Sequence, residues 1–104
     1  MSSSFPEKPS DLGKALRVLR EEKRMLLRQA AAEADMDSGL LGNIERGRRL
    51  PTEKQIQKLA LIYGQDRGPL LAARACCEFR QKYGSKEFYG QCLQILNEEA
   101  SDYG

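Results

Sequence analysis

The stretch DSGLLGNIERGRRLP, residues 37–51, holds the residue types best suited to recognition chemistry in this chain. Read as a short helix, it buries Leu40 or Leu41 and Ile44 and turns Gly39, Gly42 and Asn43 outward. It then runs into Arg46, Arg48 and Arg49. Glycine inside a helix costs about 0.8 to 1 kcal/mol relative to alanine, so two of them on one outward face call for a reason. Small outward side chains let a backbone come close to whatever it faces. Asn43 adds an amide that can donate and accept at once. In an arbitrary protein the arginines would be a solvated face or a complement to the negative end of the helix.

The rest of the chain offers little to build catalysis from. There is no histidine, no Gly-rich phosphate loop, and no pair of carboxylates outside ordinary charged faces. Cys76, Cys77 and Cys92 lack C-x-x-C or Cys/His spacing, and the expectation for them is reduced thiols packed in helices. The chain is therefore expected not to be an enzyme and to carry no metal, no cofactor and no small-molecule ligand.

The 104 residues suffice for one core but not two. A formal net charge of +2 is too small to announce a partner, so its distribution matters more. Six basic residues stand between Lys14 and Arg28 against Glu21 and Glu22, and four between Arg46 and Lys54 against Glu53. From Arg67 onward, five basic and five acidic residues cancel. No apolar run follows a basic start and none approaches the roughly 20 residues of a membrane helix, so a cytoplasmic protein without a membrane partner is expected.

Helical periodicity runs through the chain, and no alternation typical of strands appears. After a Ser- and Pro-rich arm, residues 1–9, Ser10 or Asp11 is expected to cap a first helix with Leu12, Leu16 and Leu19 on one face, running to about Arg24. LLRQAAAEA and DSGLLGNIER follow. Thr52 and Gln55 then form a capping box for a helix with Ile56, Leu59, Ala60 and Tyr63 inward, ended by Gly64. Beyond the turn GQDRGP, LLAARACCEFRQKYG is apolar or small on more than one face. Ser85 is expected to cap a last helix with Phe88, Cys92, Ile95 and Leu96 on one side.

Between Leu27 and Arg46 the spacing is that of a helix-turn-helix. Two short helices can cross steeply only if apolar side chains point into the shared corner and a very small residue sits where the backbones touch. Ala30, Ala34, Met36, Leu41 and Ile44 are the inward positions, Ala31 is the small residue, and Asp37 or Ser38 is the second helix's cap.

On these residues the chain resembles the Cro and lambda-repressor type of helix-turn-helix, the XRE family. The resemblance extends from Leu12 to about Gly64 and is densest in ALRVLREEK, LLRQAAAEADMD, LLGNIERGRRLPT and IQKLALIYG. Within the family it is closest to small regulators that accompany restriction-modification genes. It implies an all-α fold, a compact five-helix domain with one or more added C-terminal helices, and a recognition helix from Asp37 to Arg46.

The resemblance also implies roles. Asp37, Ser38, Gly39 and Asn43 would face base edges, while Arg46, the Gly47 amide, Arg48 and Arg49 would meet phosphate. Leu27 stands where the family often has a phosphate-binding Gln, which leaves Arg28 as the substitute. Asp35 stands at the usual turn Gly, a conformation Asp tolerates better than most residues. The family pattern further implies a structural salt bridge between Arg20 and Glu45. In a major groove about 12 Å wide, small outward residues would let Asn43 pair with adenine N6 and N7. Asp35 and Asp37 count against a phosphate-rich partner unless their carboxylates are occupied.

The function expected is thus a sequence-specific double-stranded DNA-binding transcriptional regulator, acting as a homodimer on a palindromic site. The alternative is a protein-interaction module on the same scaffold. Residues 10–66 would form the DNA-binding domain, residues 67–100 the C-terminal helices for packing and dimerisation, and residues 101–104 a frayed tail. Leu70, Leu71, Phe79, Phe88, Tyr89, Leu93 and Leu96 are the expected dimer surface, because the last helices hold more apolar surface than one small core can cover. The competing possibility is that the last helix folds back and covers the excess itself.

Overall fold

The computed structural model describes residues 12–102, and the N-terminal arm and the Ser10 or Asp11 cap lie outside them. The described chain is all helical: α1 Leu12–Glu22, α2 Leu27–Glu33, α3 Ser38–Glu45, α4 Glu53–Ile62, α5 Arg67–Tyr83 and α6 Tyr89–Asp102. The first five form the domain, and α6 is the added C-terminal helix.

The core is assembled from the periodic positions. Leu12, Leu16 and Leu19 of α1 meet Ala30, Ala31 and Ala34, then Leu41 and Ile44, then Ile56, Leu59, Ala60 and Tyr63, and finally Leu70 of α5. The alanines make the steep crossing possible. Ala31 is 1% exposed, and its carbonyl accepts from the Met36 amide at 2.9 Å, closing the turn between α2 and α3. Asp35 takes the left-handed conformation there, with φ of 59°. α1 ends at Glu22, short of the expected Arg24, because Arg24 is itself left-handed at φ 56° and turns the chain.

Helix starts follow their caps. Thr52 Oγ1 accepts from the Gln55 amide at 3.1 Å, and Gln55 Oε1 accepts from the Thr52 amide at 2.9 Å. α5 is pinned to the α3–α4 loop by Arg74, whose Nε donates to the Pro51 carbonyl at 2.7 Å while Nη2 meets Glu78.

The C-terminal part differs from expectation in three ways. Ser85 does not cap the last helix, which begins at Tyr89. Two turns intervene, closed by the Lys86 amide on Tyr83 O and the Tyr89 amide on Lys86 O. Aromatic rings meet at this corner. Phe79 lies 5.0 Å from Tyr83 and 5.7 Å from Tyr89, and Tyr83 lies 6.1 Å from Phe88, centroid to centroid. Second, Leu70 is fully buried in the domain core, so it is removed from the expected dimer surface. Leu71 is half-buried against that core. Third, the helical backbone continues to Asp102, past the Ala100 boundary read from the sequence. The competing possibility, α6 folding back over the excess apolar surface, is not what the described residues show: none of its residues with described side chains is buried, and Leu93, Ile95 and Leu96 stand 44%, 56% and 50% exposed.

Candidate nucleic-acid interface

α3 is positioned from behind by an ion pair and a close backbone approach. Arg20 of α1 donates from Nε to Glu45 Oε2 at 2.8 Å and from Nη2 to Oε1 at 3.0 Å, while its Nη1 reaches the Met25 carbonyl at 2.9 Å. The side chains are only 13% and 6% exposed, and the bond to Glu45 raises the Arg20 pKa above its ordinary value. One guanidinium thus ties together α1, the turn after it and the end of α3. The expected Arg20–Glu45 bridge is present.

Beside the pair, Gly13 lets α1 touch the end of α3. A Cβ there would lie 2.5 Å from the carbonyl oxygens of both Ile44 and Glu45, far inside contact distance. Sequence reasoning passed over Gly13. Its signal was available, since a glycine within a helix costs stability and invites a packing reason.

At the other end, Asp37 Oδ1 accepts from the Leu40 amide at 2.8 Å, so the carboxylate serves as the N-cap of α3. Asp35 lies 3.6 Å from Lys58 Nζ. The Asp37 carboxylate is thus partly occupied by its cap, while the Asp35 carboxylate stays exposed and is balanced by the nearby Lys58 charge. Ser38 and Gly39 are exposed at the first turn and Asn43 is half-exposed one turn on.

Gly42 corrects the opening expectation. It is buried, because the Arg46 guanidinium folds back over it; a Cβ on Gly42 would lie 3.3 Å from Arg46 Nη1. From that position Arg46 Nη2 donates to Asn43 Oδ1 at 3.0 Å. The bond orients the Asn43 amide and uses one of the two lone pairs of its oxygen. Small size at Gly42 serves the packing of Arg46 rather than an outward approach.

The exit of α3 is strongly basic. Arg46, Arg48 and Arg49 are all exposed, and Gly47 makes the turn at φ 77°. The Gly47 amide donates to the Ile44 carbonyl at 3.1 Å, so that donor is already satisfied. Arg28 is exposed on α2, whereas Leu27 is half-buried against the core. The remaining sequence candidates, Phe79, Phe88, Tyr89, Leu93 and Leu96, stand on α5, on α6 and in the turn between them. Cys76 is exposed and Cys77 half-buried, where burial pushes the Cys77 thiol up in pKa, away from the reactive thiolate. No group of residues that could hold a metal ion occurs among the described residues, and no helix there is long and apolar enough to cross a membrane.

Residues 11–73 match a family described as a helix-turn-helix domain. The solved structure of the clp gene regulator ClgR from Corynebacterium glutamicum is similar over 95% of this chain and 92% of that one, with 25% sequence identity and a TM-score of 0.58. No curated protein matches the sequence.

Proposed function

Since the chain belongs to the helix-turn-helix domain family, of the XRE type, we propose that it is a transcriptional regulator that reads duplex DNA with α3. The observation that carries this is the arrangement of α3 itself. Its first turn is exposed and capped, its far end is locked to α1 by Arg20 and Gly13, and its exit holds three exposed arginines. A helix held this rigidly can present side chains to base edges in a fixed register.

In this reading Ser38, Gly39 and Asn43 face base edges, and Asp37 does so with the carboxylate oxygen its cap leaves over. Arg28, Arg46, Arg48 and Arg49 meet phosphates on either side. Asn43 offers its NH₂ group to adenine N7 and the second lone pair of its oxygen to N6, the first being taken by Arg46. Regulation of transcription is the role proposed because the similar ClgR is described as a clp gene regulator.

The protein acts as a homodimer on a palindromic site. The exposed apolar surface of α5 and α6, with Leu93, Ile95 and Leu96 beside the aromatic corner, supports this assembly. Two copies of α3 then lie about 34 Å apart, one helical turn of DNA. Selection of bound duplexes from a random pool tests the reading: enrichment of a palindrome supports it, and failure to retain any duplex in a salt-dependent way leaves the protein-interaction alternative.

A further inference from the structure

Beside the face just described, a groove of about 430 Å³ opens where α1 begins, between the α3–α4 loop and the outer half of α5. Its floor is apolar, formed by the buried Leu12, Ile44 and Pro51 with Cys77. Its rim is basic: Arg46 and Arg49 stand on the loop side, Arg80 and Gln81 on the α5 side, all four exposed. No carboxylate lines it among the described residues.

We propose that Arg80 is a further DNA-phosphate contact, and that the sugar-phosphate strand leaving α3 passes between Arg49 and Arg80. The proposal rests on the DNA-binding reading and extends the interface to α5. Arg46 is engaged over Gly42 and on Asn43, which leaves Arg49 and Arg80 on opposite sides of the groove; like charges so placed repel unless an anion lies between them, and phosphate accepts guanidinium N–H bonds bidentately. The neighbouring arginines are accounted for within the protein. Arg74 is held by Pro51 and Glu78, Arg20 by Glu45, and Arg17 by Glu21. Among the described residues, no carboxylate pairs with Arg80.

Arg80 is also placed on a firm support. The Arg74–Pro51 bond fixes α5 to the loop that carries Arg46 and Arg49, so the two sides of the groove cannot drift apart. Because the groove shares Arg46 and Arg49 with the α3 exit, a continuous strand fits it better than an isolated small anion. Arg80 lies on α5 beyond residue 73, outside the part that matches the family.

The test is the salt dependence of binding by the full chain to its selected duplex and to a random duplex of equal length. Each phosphate contact contributes about 0.9 to the slope of log K against log salt. Because each of the two copies in the dimer loses one contact, Arg80→Gln is expected to lower that slope by about 1.8 on both duplexes, Arg80→Lys to keep it, and Lys86→Gln, which removes a charge away from the groove, to leave it at the parental value. An Arg80→Gln slope equal to the parent's overturns the proposal. So does an equal fall with Lys86→Gln, which would mean general charge. A fall accompanied by loss of self-association in sedimentation would assign Arg80 to assembly and also overturn it. A parent chain that retains no duplex overturns the DNA reading itself, a distinguishable outcome.

Discussion

Arg20 grips Glu45 through two nearly equal bonds, 2.8 Å from Nε and 3.0 Å from Nη2, across the contact between α1 and α3. Both side chains are largely withdrawn from water, so each charge depends on the other. Glu45→Gln leaves the guanidinium buried without its counter-charge and is expected to cost about 3 to 5 kcal/mol. Urea unfolding measures this, and a variant as stable as the parent would show that the pair is not needed.

Tyr63 packs close to this pair with its hydroxyl buried and lacking a hydrogen-bond partner. Burial, reinforced by the charge of Glu45, pushes its pKa up to about 12. An unfolded tyrosine titrates near 10, so the native state holds the proton more tightly. Stability is therefore complete below pH 10 and falls as the pH climbs towards 12, by about 2 to 3 kcal/mol from this group. Tyr63→Phe abolishes that dependence and gains on the order of 1 kcal/mol at neutral pH, because no hydroxyl is left unpaired. Unfolding curves of the two proteins from pH 7 to 11 should diverge; parallel curves would contradict the assignment.

The parts of this fold legible in the sequence are those set by local spacing. The cap at Asp37 or Ser38, which the structure gives to Asp37, the Thr52–Gln55 box and the inward alanines of the helix-turn-helix each follow from residues a few positions apart. Resemblance supplied the long-range Arg20–Glu45 pair. What stayed hidden depends on distant contacts or on how a long side chain folds. Gly42 looked outward until Arg46 was seen to lie over it, and Gly13 gained its meaning only from the carbonyls of Ile44 and Glu45. Leu70 could not be told from its apolar neighbours, since periodicity does not say which side of a many-faced helix the core takes. Ser85 carried a capping signal, yet the last helix begins only at Tyr89, beyond a corner where tilted ring contacts join Phe79 to Tyr89 and Tyr83 to Phe88. Arg80, on the outer half of α5, formed no motif at all.

Gly13→Ala tests the approach of α1 to α3. The added Cβ must push against two backbone carbonyls that cannot swing away, at an expected cost of about 1 to 3 kcal/mol. For a domain of this size that corresponds to a fall in Tm of several degrees. An unchanged Tm would mean that the two helices separate freely.

Removal of α6 tests assembly. Every residue of the core lies at or before Leu70, so a chain ending at Gly84 keeps the whole core and Arg74. It is expected to fold with the parental helical signal of α1–α5 and to sediment as a monomer where the full chain is a dimer. Identical sedimentation of the two chains would remove α6 from the interface.

The proposal that α3 reads base edges while its exit holds phosphate is tested most directly by one pair of variants on a selected and a shuffled duplex. Asn43→Ala should weaken binding to the selected duplex by about 1 to 3 kcal/mol, relax the preference at a single base pair, and leave the shuffled duplex nearly unaffected. Arg48→Gln should weaken both duplexes alike and lower the salt slope by about 1.8, one contact from each copy of the dimer. If the two variants behave identically on both duplexes, α3 does not read DNA sequence.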